Sequence, residues 1–275
     1  MRARWPDYAI EAAGLATFMV VACAFGTLLG HPGSPVLRMV PDALTRRIVM
    51  GVAMGLTAVA LIYSPWGRRS GAHFNPATTL TFWRLGKIET RDAAAYAIAQ
   101  VVGGLLGVLA ASAMLGAALA HPDVRYVATV PGGGGPAVAF AAEIAIAFML
   151  MSVVLHVAND AALAPFTGLA AGALVALYIT VEAPLSSMSL NPARSLASAV
   201  PANAWDAFWI YLVAPPLGMV AAAEIYVHRH GARAVYCAKL QHDSGPCHFR
   251  CRWSELRRTA ASPEGTPVSQ AQTAR

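Results

Sequence analysis

The residues of this chain with the most chemical potential are two asparagines and one arginine set in apolar surroundings. Asn75 and Asn191 each open the triplet Asn-Pro-Ala, at 75–77 and 191–193, and Arg194 follows the second triplet directly. An Asn before a Pro is suited to cap a helix, because its side-chain oxygen accepts from the first-turn N–H groups. Pro at the first helical position forfeits no hydrogen bond there. With the oxygens so used, the carboxamide N–H groups remain to donate to a passing molecule. A helix N-terminus adds a positive dipole end, and Arg194 adds a full charge. Such donors suit a neutral, hydrogen-bonding solute and disfavour cations. Neither a His-Glu-x-x-His nor a Gly-x-Ser-x-Gly stretch is present, so the sequence does not point to a hydrolytic enzyme.

The elements that must position these groups are long, apolar and nearly uncharged. The 275 residues are 57% hydrophobic and 12% charged, with a mean hydropathy of +0.52. Apolar runs with few charges lie at about residues 8–29, 47–64, 93–120, 137–157, 166–182 and 205–227. Most reach the roughly 18–20 residues needed to cross about 30 Å of hydrocarbon, and they lack the polar stripe of a soluble bundle. The segment 1–29 has the basic start of a signal peptide, but Glu11 and the length of its apolar run mark a first span. The triplets open two shorter runs, about 76–84 and 192–199, that cannot span.

The net charge of +6 could suggest nucleic acid, but its placement suggests topology instead. Arg2, Arg4, Arg68, Arg69, Arg84, Lys87, Arg91 and the basic residues after 228 fall on one side, against Arg38, Arg46, Arg47 and Arg125 on the other. The positive-inside rule puts both termini in the cytoplasm of a cell (inner) membrane. No nucleic-acid partner is expected.

The order is two spans, a half-helix and a third span, and then the same again. The fold class expected is therefore an all-α membrane protein, with six transmembrane helices and two re-entrant half-helices in an inverted repeat. The channel domain covers 1–228, with repeats at about 8–120 and 137–228, and a partly disordered cytoplasmic tail covers 229–275. Irregular backbone before each half-helix must be buried in protein or line a wet cavity. This assigns the backbone of Gly71, Ala72, His73, Ser187 and Ser189 to the lining, with His73 acting through its main chain. Glu11 and Glu143, on the first span of each half, are read as acceptors for loop N–H groups that would otherwise go unsatisfied.

The stretches 70–78 (Ser-Gly-Ala-His-Phe-Asn-Pro-Ala-Thr) and 191–195 (Asn-Pro-Ala-Arg-Ser) resemble the aquaporin and glycerol-facilitator superfamily, the major intrinsic proteins, in its bacterial type. The resemblance covers about residues 8–228 and implies a passive channel for water and small neutral solutes that excludes protons and ions. It also implies a homotetramer in the lipid bilayer. Arg194 falls at the family's outer constriction. Counting from the motifs places Met188, Ile179 and Met54 (or Gly55) around it, with neither the His nor the aromatic residue usual in strict water channels. An apolar Met/Ile filter leaves open a glycerol-type or other neutral-solute facilitator. A non-conducting membrane protein that keeps the fold also remains open.

The tail carries Cys237, Cys247 and Cys251 with His242 and His248. Such residues can bind zinc, but the spacing lacks a Cys-x-x-Cys knuckle. The expectation is reduced thiols, with no metal and no cofactor. Cys23, inside a span, is expected to pack.

Overall fold

The computed structural model describes residues 4–242 and 247–261; the disordered tail expected from about residue 262 lies outside the described residues. In chain order the main helices are α1 (Trp5–Gly30), α2 (Ala43–Tyr63), α3 (Pro76–Arg84), α4 (Thr90–Leu115), α5 (Gly135–Ala158), α6 (Thr167–Val181), α7 (Pro192–Ala202), α8 (Trp209–His230) and α9 (Trp253–Ala261). Six of these, with α6 extended by the turn Ala164–Phe166, are long and apolar enough to span. The short α3 and α7 are the two half-helices.

Local chemistry accounts for the boundaries, including those that differ from expectation. Asp42 caps α2 by accepting from the Thr45 N–H at 2.6 Å, so this helix starts before the basic pair at 46–47. The third span was expected to reach residue 120. It stops at Leu115, because Gly116 turns to φ 57, ψ −138, and a separate turn Ala117–Ala120 follows. Asn203 and Ala207 adopt φ of 48 and 50, which ends α7 and delays the last span from about residue 205 to Trp209.

The spans pack as α1 on α4, α5 on α8 and α2 on α6. Backbones approach closely enough that a Cβ at Gly103 of α4 would lie 2.1 Å from the Ala12 carbonyl oxygen of α1. A Cβ at Gly218 of α8 would lie 2.4 Å from the Ile144 oxygen of α5. Each half thus makes the same small-residue contact, the means by which membrane helices associate closely. Ile98, Leu106, Leu109 and Met114 of α4 remain exposed, an apolar outer face that suits lipid. Cys23 is buried in a cluster with Leu15, Met19 and Val108.

Candidate functional site

The site is built from two loops of nearly the same conformation. The helical turn Pro65–Ser70 ends at Gly71 with φ 101, and the turn Ala183–Ser186 ends at Ser187 with φ 65. Beyond them Ala72 and Phe74 have φ of 56 and 46, and Met188 and Leu190 have φ of 50 and 57. Left-handed non-glycine residues of this kind cost on the order of 1–3 kcal/mol each and persist only where the surroundings hold them.

Two buried carboxylates hold them. Glu11 accepts from Ser70 Oγ (2.7 Å), His73 N (3.2 Å), Phe74 N (2.6 Å) and Gln100 Nε2 (2.8 Å). Glu143 accepts from Ser186 Oγ (2.7 Å), Ser189 N (2.6 Å) and Leu190 N (2.8 Å). Tyr96 and Tyr211 repeat the symmetry, their hydroxyls donating to the Ser70 and Ser186 carbonyls at 2.7 and 2.9 Å. The loop-holding role of these tyrosines, and of Ser70 and Ser186, escaped the sequence reading. Tyr96 and Tyr211 lie far from the triplets in sequence, and a lone tyrosine in a span carries no signal.

The loops deliver the asparagines to one place. Asn75 Oδ1 accepts from Ala77 N at 2.8 Å, and Asn191 Oδ1 accepts from Ala193 N and Arg194 N at 3.0 and 3.2 Å. Each carboxamide nitrogen then donates across to the opposite loop, Asn75 to the Leu190 carbonyl and Asn191 to the Phe74 carbonyl, both at 2.8 Å. A carboxamide nitrogen has two hydrogens. One is therefore engaged in locking the half-helices end to end, and one remains for the space they enclose.

That space is a cavity of about 400 Å³ whose wall includes Asn75, Asn191, Arg194, Met54, Ile179 and Met188. Met54 faces it, whereas Gly55 packs against the Gly172 carbonyl. Arg194 Nη1 is buried without a hydrogen-bond partner among the described residues. Ser195 beside it joins a hydroxyl chain with Thr129 (2.7 Å) and Ser189 (2.5 Å). Ala72, His73, Ser187 and Ser189 also line the cavity. Gly71 is not among the lining residues; its carbonyl accepts instead from the Leu240 N–H at 3.1 Å.

Other lining residues were not foreseen. Arg47, donating from Nε to the Thr180 carbonyl at 3.1 Å, adds a second cation at the Arg194 end. Val127 and Ala128 come from the loop after α4, where Arg125, Tyr126 and Val127 all have positive φ. Ser187 Oγ donates to the Val130 carbonyl (2.8 Å) and ties that loop to the second re-entrant loop. A loop of mixed composition gave no sign that it folds inward.

His73 donates its main-chain N–H to Glu11, and its ring makes further contacts that the sequence did not foretell. Nε2 lies 2.9 Å from the Ala238 carbonyl and Nδ1 lies 3.0 Å from Thr79 Oγ1. A carbonyl only accepts, so Nε2 carries the proton of the neutral ring. Phe82 stacks on the ring at 5.2 Å and Phe249 at 5.6 Å. The tail is thus folded against the channel domain. It also gathers Cys237, His242, Cys247 and Cys251, whose ligand atoms lie within 4.8 Å of one another. The cysteines are free thiols, and residues that the sequence spreads over 237–251 are brought together by the fold. Hydrogen bonds from the Cys237 and Cys247 thiols, and from His242, hold Cys251 well below the usual thiol range.

Six apolar helices and two capped half-helices around a lined cavity define an integral-membrane protein of channel architecture. Residues 7–226 match the Major intrinsic protein family, and the chain belongs to that family, whose members are channels and not enzymes. It is 38% identical over 200 residues to Aquaporin NIP1-1 of Arabidopsis thaliana, covering 70% of this chain and 66% of that protein. It is 37% identical over 177 residues to Probable aquaporin NIP-type of Nicotiana alata, covering 64% and 63%. The chain spans just under two thirds of the length of these relatives. The X-ray structure of the aquaglyceroporin from Plasmodium falciparum matches with a TM-score of 0.63, over 82% of this chain and 96% of that one. At 20% identity that likeness shows the shared fold.

Proposed function

We propose that the chain is a passive channel for water and small neutral solutes that excludes protons and ions. The observation that carries this reading is the convergence on one cavity of Asn75, Asn191 and Arg194, whose Nη1 has no hydrogen-bond partner among the described residues. Two helix N-termini and a buried guanidinium there disfavour any cation that has shed its water, as in aquaporin-type pores generally. A neutral solute instead finds donors that replace its hydration. The relatives' names, aquaporins, agree with this assignment. The charge distribution supports an inner-membrane protein with both termini in the cytoplasm, and the family resemblance supports a homotetramer.

A second reading, a glycerol-type facilitator, is favoured by Met54, Ile179 and Met188 around the same cavity as Arg194. Thioether and aliphatic side chains offer an apolar wall that re-packs around a carbon backbone, while Arg194 takes the hydroxyls. Light scattering of proteoliposomes under water, glycerol and urea gradients separates the two. Water flux well above empty vesicles supports the first reading, and glycerol flux that rises with it supports the second. No flux of any of the three, with the tail removed as well as present, would leave a non-conducting protein that keeps the fold.

A further inference from the structure

None of the described residues between Val235 and Arg252 is helical, yet Val235, Ala238, Lys239 and Phe249 are almost fully buried. It is anchored at separated places on the terminal side of the bundle. Tyr236 N donates to Asn159 Oδ1 at 2.7 Å, Leu240 N to the Gly71 carbonyl at 3.1 Å and Arg250 N to the Lys87 carbonyl at 3.0 Å. Phe249 and the Ala238 carbonyl hold His73 between them. Leu240 itself lines the cavity that holds Asn75 and Asn191. An irregular segment of this length has little internal hydrogen bonding to fix it, so something must offset its ordering entropy.

We propose that Cys237, His242, Cys247 and Cys251 bind one Zn²⁺, and that the ion clasps the tail as a cap over the cytoplasmic mouth of the pore. The donor set, three sulfurs and one imidazole, is a structural-zinc set with all four positions filled by protein. The geometry fits as well. Tetrahedral bonds of about 2.3 Å to sulfur and about 2.0 Å to nitrogen place two sulfurs about 3.8 Å apart, and nitrogen about 3.5 Å from sulfur. Cys237 Sγ and Cys247 Sγ are 3.6 Å apart, and His242 Nε2 is 3.1 Å from Cys251 Sγ. A disulfide would need about 2.05 Å, and the thiols are free. His242 Nε2 faces the cluster while its ring stacks on Trp253 at 4.9 Å, which orients it. Zinc binding displaces thiol protons and ties His242 to Cys237, Cys247 and Cys251. His242 lies two positions after Leu240, the residue at the mouth. The metal site stands on its own geometry, whereas the capping role rests on the channel reading above.

The test uses the full chain, purified without chelator. A single zinc per chain by elemental analysis, lost in Cys251→Ser and in Cys247→Ser, is the expected result; zinc absent from the parent protein overturns the site. In proteoliposomes, a membrane-permeant zinc chelator should raise solute permeability several-fold, and added Zn²⁺ should reverse the rise. Leu240→Ala should keep its zinc and conduct like the chelated parent, which guards against misfolding of the cysteine variants. Bound zinc with permeability unchanged by chelation and by Leu240→Ala overturns the cap. If no form conducts, the channel reading and the cap fall together, while the zinc content still decides the site.

Discussion

The two re-entrant loops are built alike and finished differently. In each, a buried glutamate accepts from a serine hydroxyl and two successive loop N–H groups, and a tyrosine donates to the serine's carbonyl. The residue three past each asparagine faces the same cavity, yet it is Thr78 in the first half and Arg194 in the second. The first loop is covered by the tail, through Gly71, His73 and Leu240. The second is covered by the loop at 127–130. Holding a half-helix in place is therefore a duty both halves share. On the proposed reading, charge selection falls to the end with Arg194 and Arg47, and closure to the other.

Substitutions can break this comparison or sharpen it. The largest effect is expected at the shared carboxylates. Glu143→Ala strands two buried N–H groups, while Ser186 Oγ keeps Glu182 as an acceptor. Glu11→Ala strands two N–H groups, the Ser70 hydroxyl and one hydrogen of the Gln100 amide, whose other hydrogen reaches Thr79. At about 1–3 kcal/mol per stranded group, Glu143→Ala should lose about 2 kcal/mol or more and Glu11→Ala about 4 kcal/mol or more. Thermal unfolding in detergent should show both losing the folded state, Glu11→Ala more severely; a mild effect at either would deny the shared duty.

Next comes Arg194→Val, which should leave the fold intact and let cations through. A like charge about 4 Å away at an effective dielectric near 20 costs about 4 kcal/mol. Its loss should raise cation permeability by on the order of a hundredfold or more. Unchanged conductance across planar bilayers would place Arg194 off the path. At the same constriction, Ile179→His should cut glycerol flux more than water flux, and equal loss of both would contradict the filter.

Smaller again are Gly103→Ala and Gly218→Ala, which force a Cβ against a carbonyl oxygen in matching places. Overpacking of this kind costs about 1–3 kcal/mol, and the tighter Gly103 site should suffer more in a melting series. The smallest difference is expected between Tyr96→Phe and Tyr211→Phe. Each removes one hydrogen bond worth about 1 kcal/mol, but Tyr96 Oη also lies 3.1 Å from His248 Nε2 in the tail. Only Tyr96→Phe should also increase protease cleavage of the tail, and equal cleavage in both would weaken the link between first loop and tail.

Much was legible from the order of residues because it follows from local rules. Apolar runs of spanning length fixed the six crossings, and Asn before Pro fixed both half-helix starts at Pro76 and Pro192. Glu11 and Glu143 were readable as loop acceptors, since a carboxylate in a span needs donors and the loops have N–H groups to offer. Gly116 and Ala207 show the limit even of local reading. Each takes a backbone conformation that ends or delays a span, and neither residue type demands it.

What the order of residues alone determined is the set of membrane crossings, the pairing of repeats and the capped tripeptides, because periodicity and capping act within a few residues. Tertiary structure decided which groups face the cavity and which cover it. Ala238 reaches His73 across 165 positions, and Cys237, His242, Cys247 and Cys251 meet only after the chain has doubled back. Such contacts depend on how separate segments pack, and the spacing of residues along one segment carries no record of the surface that another will meet.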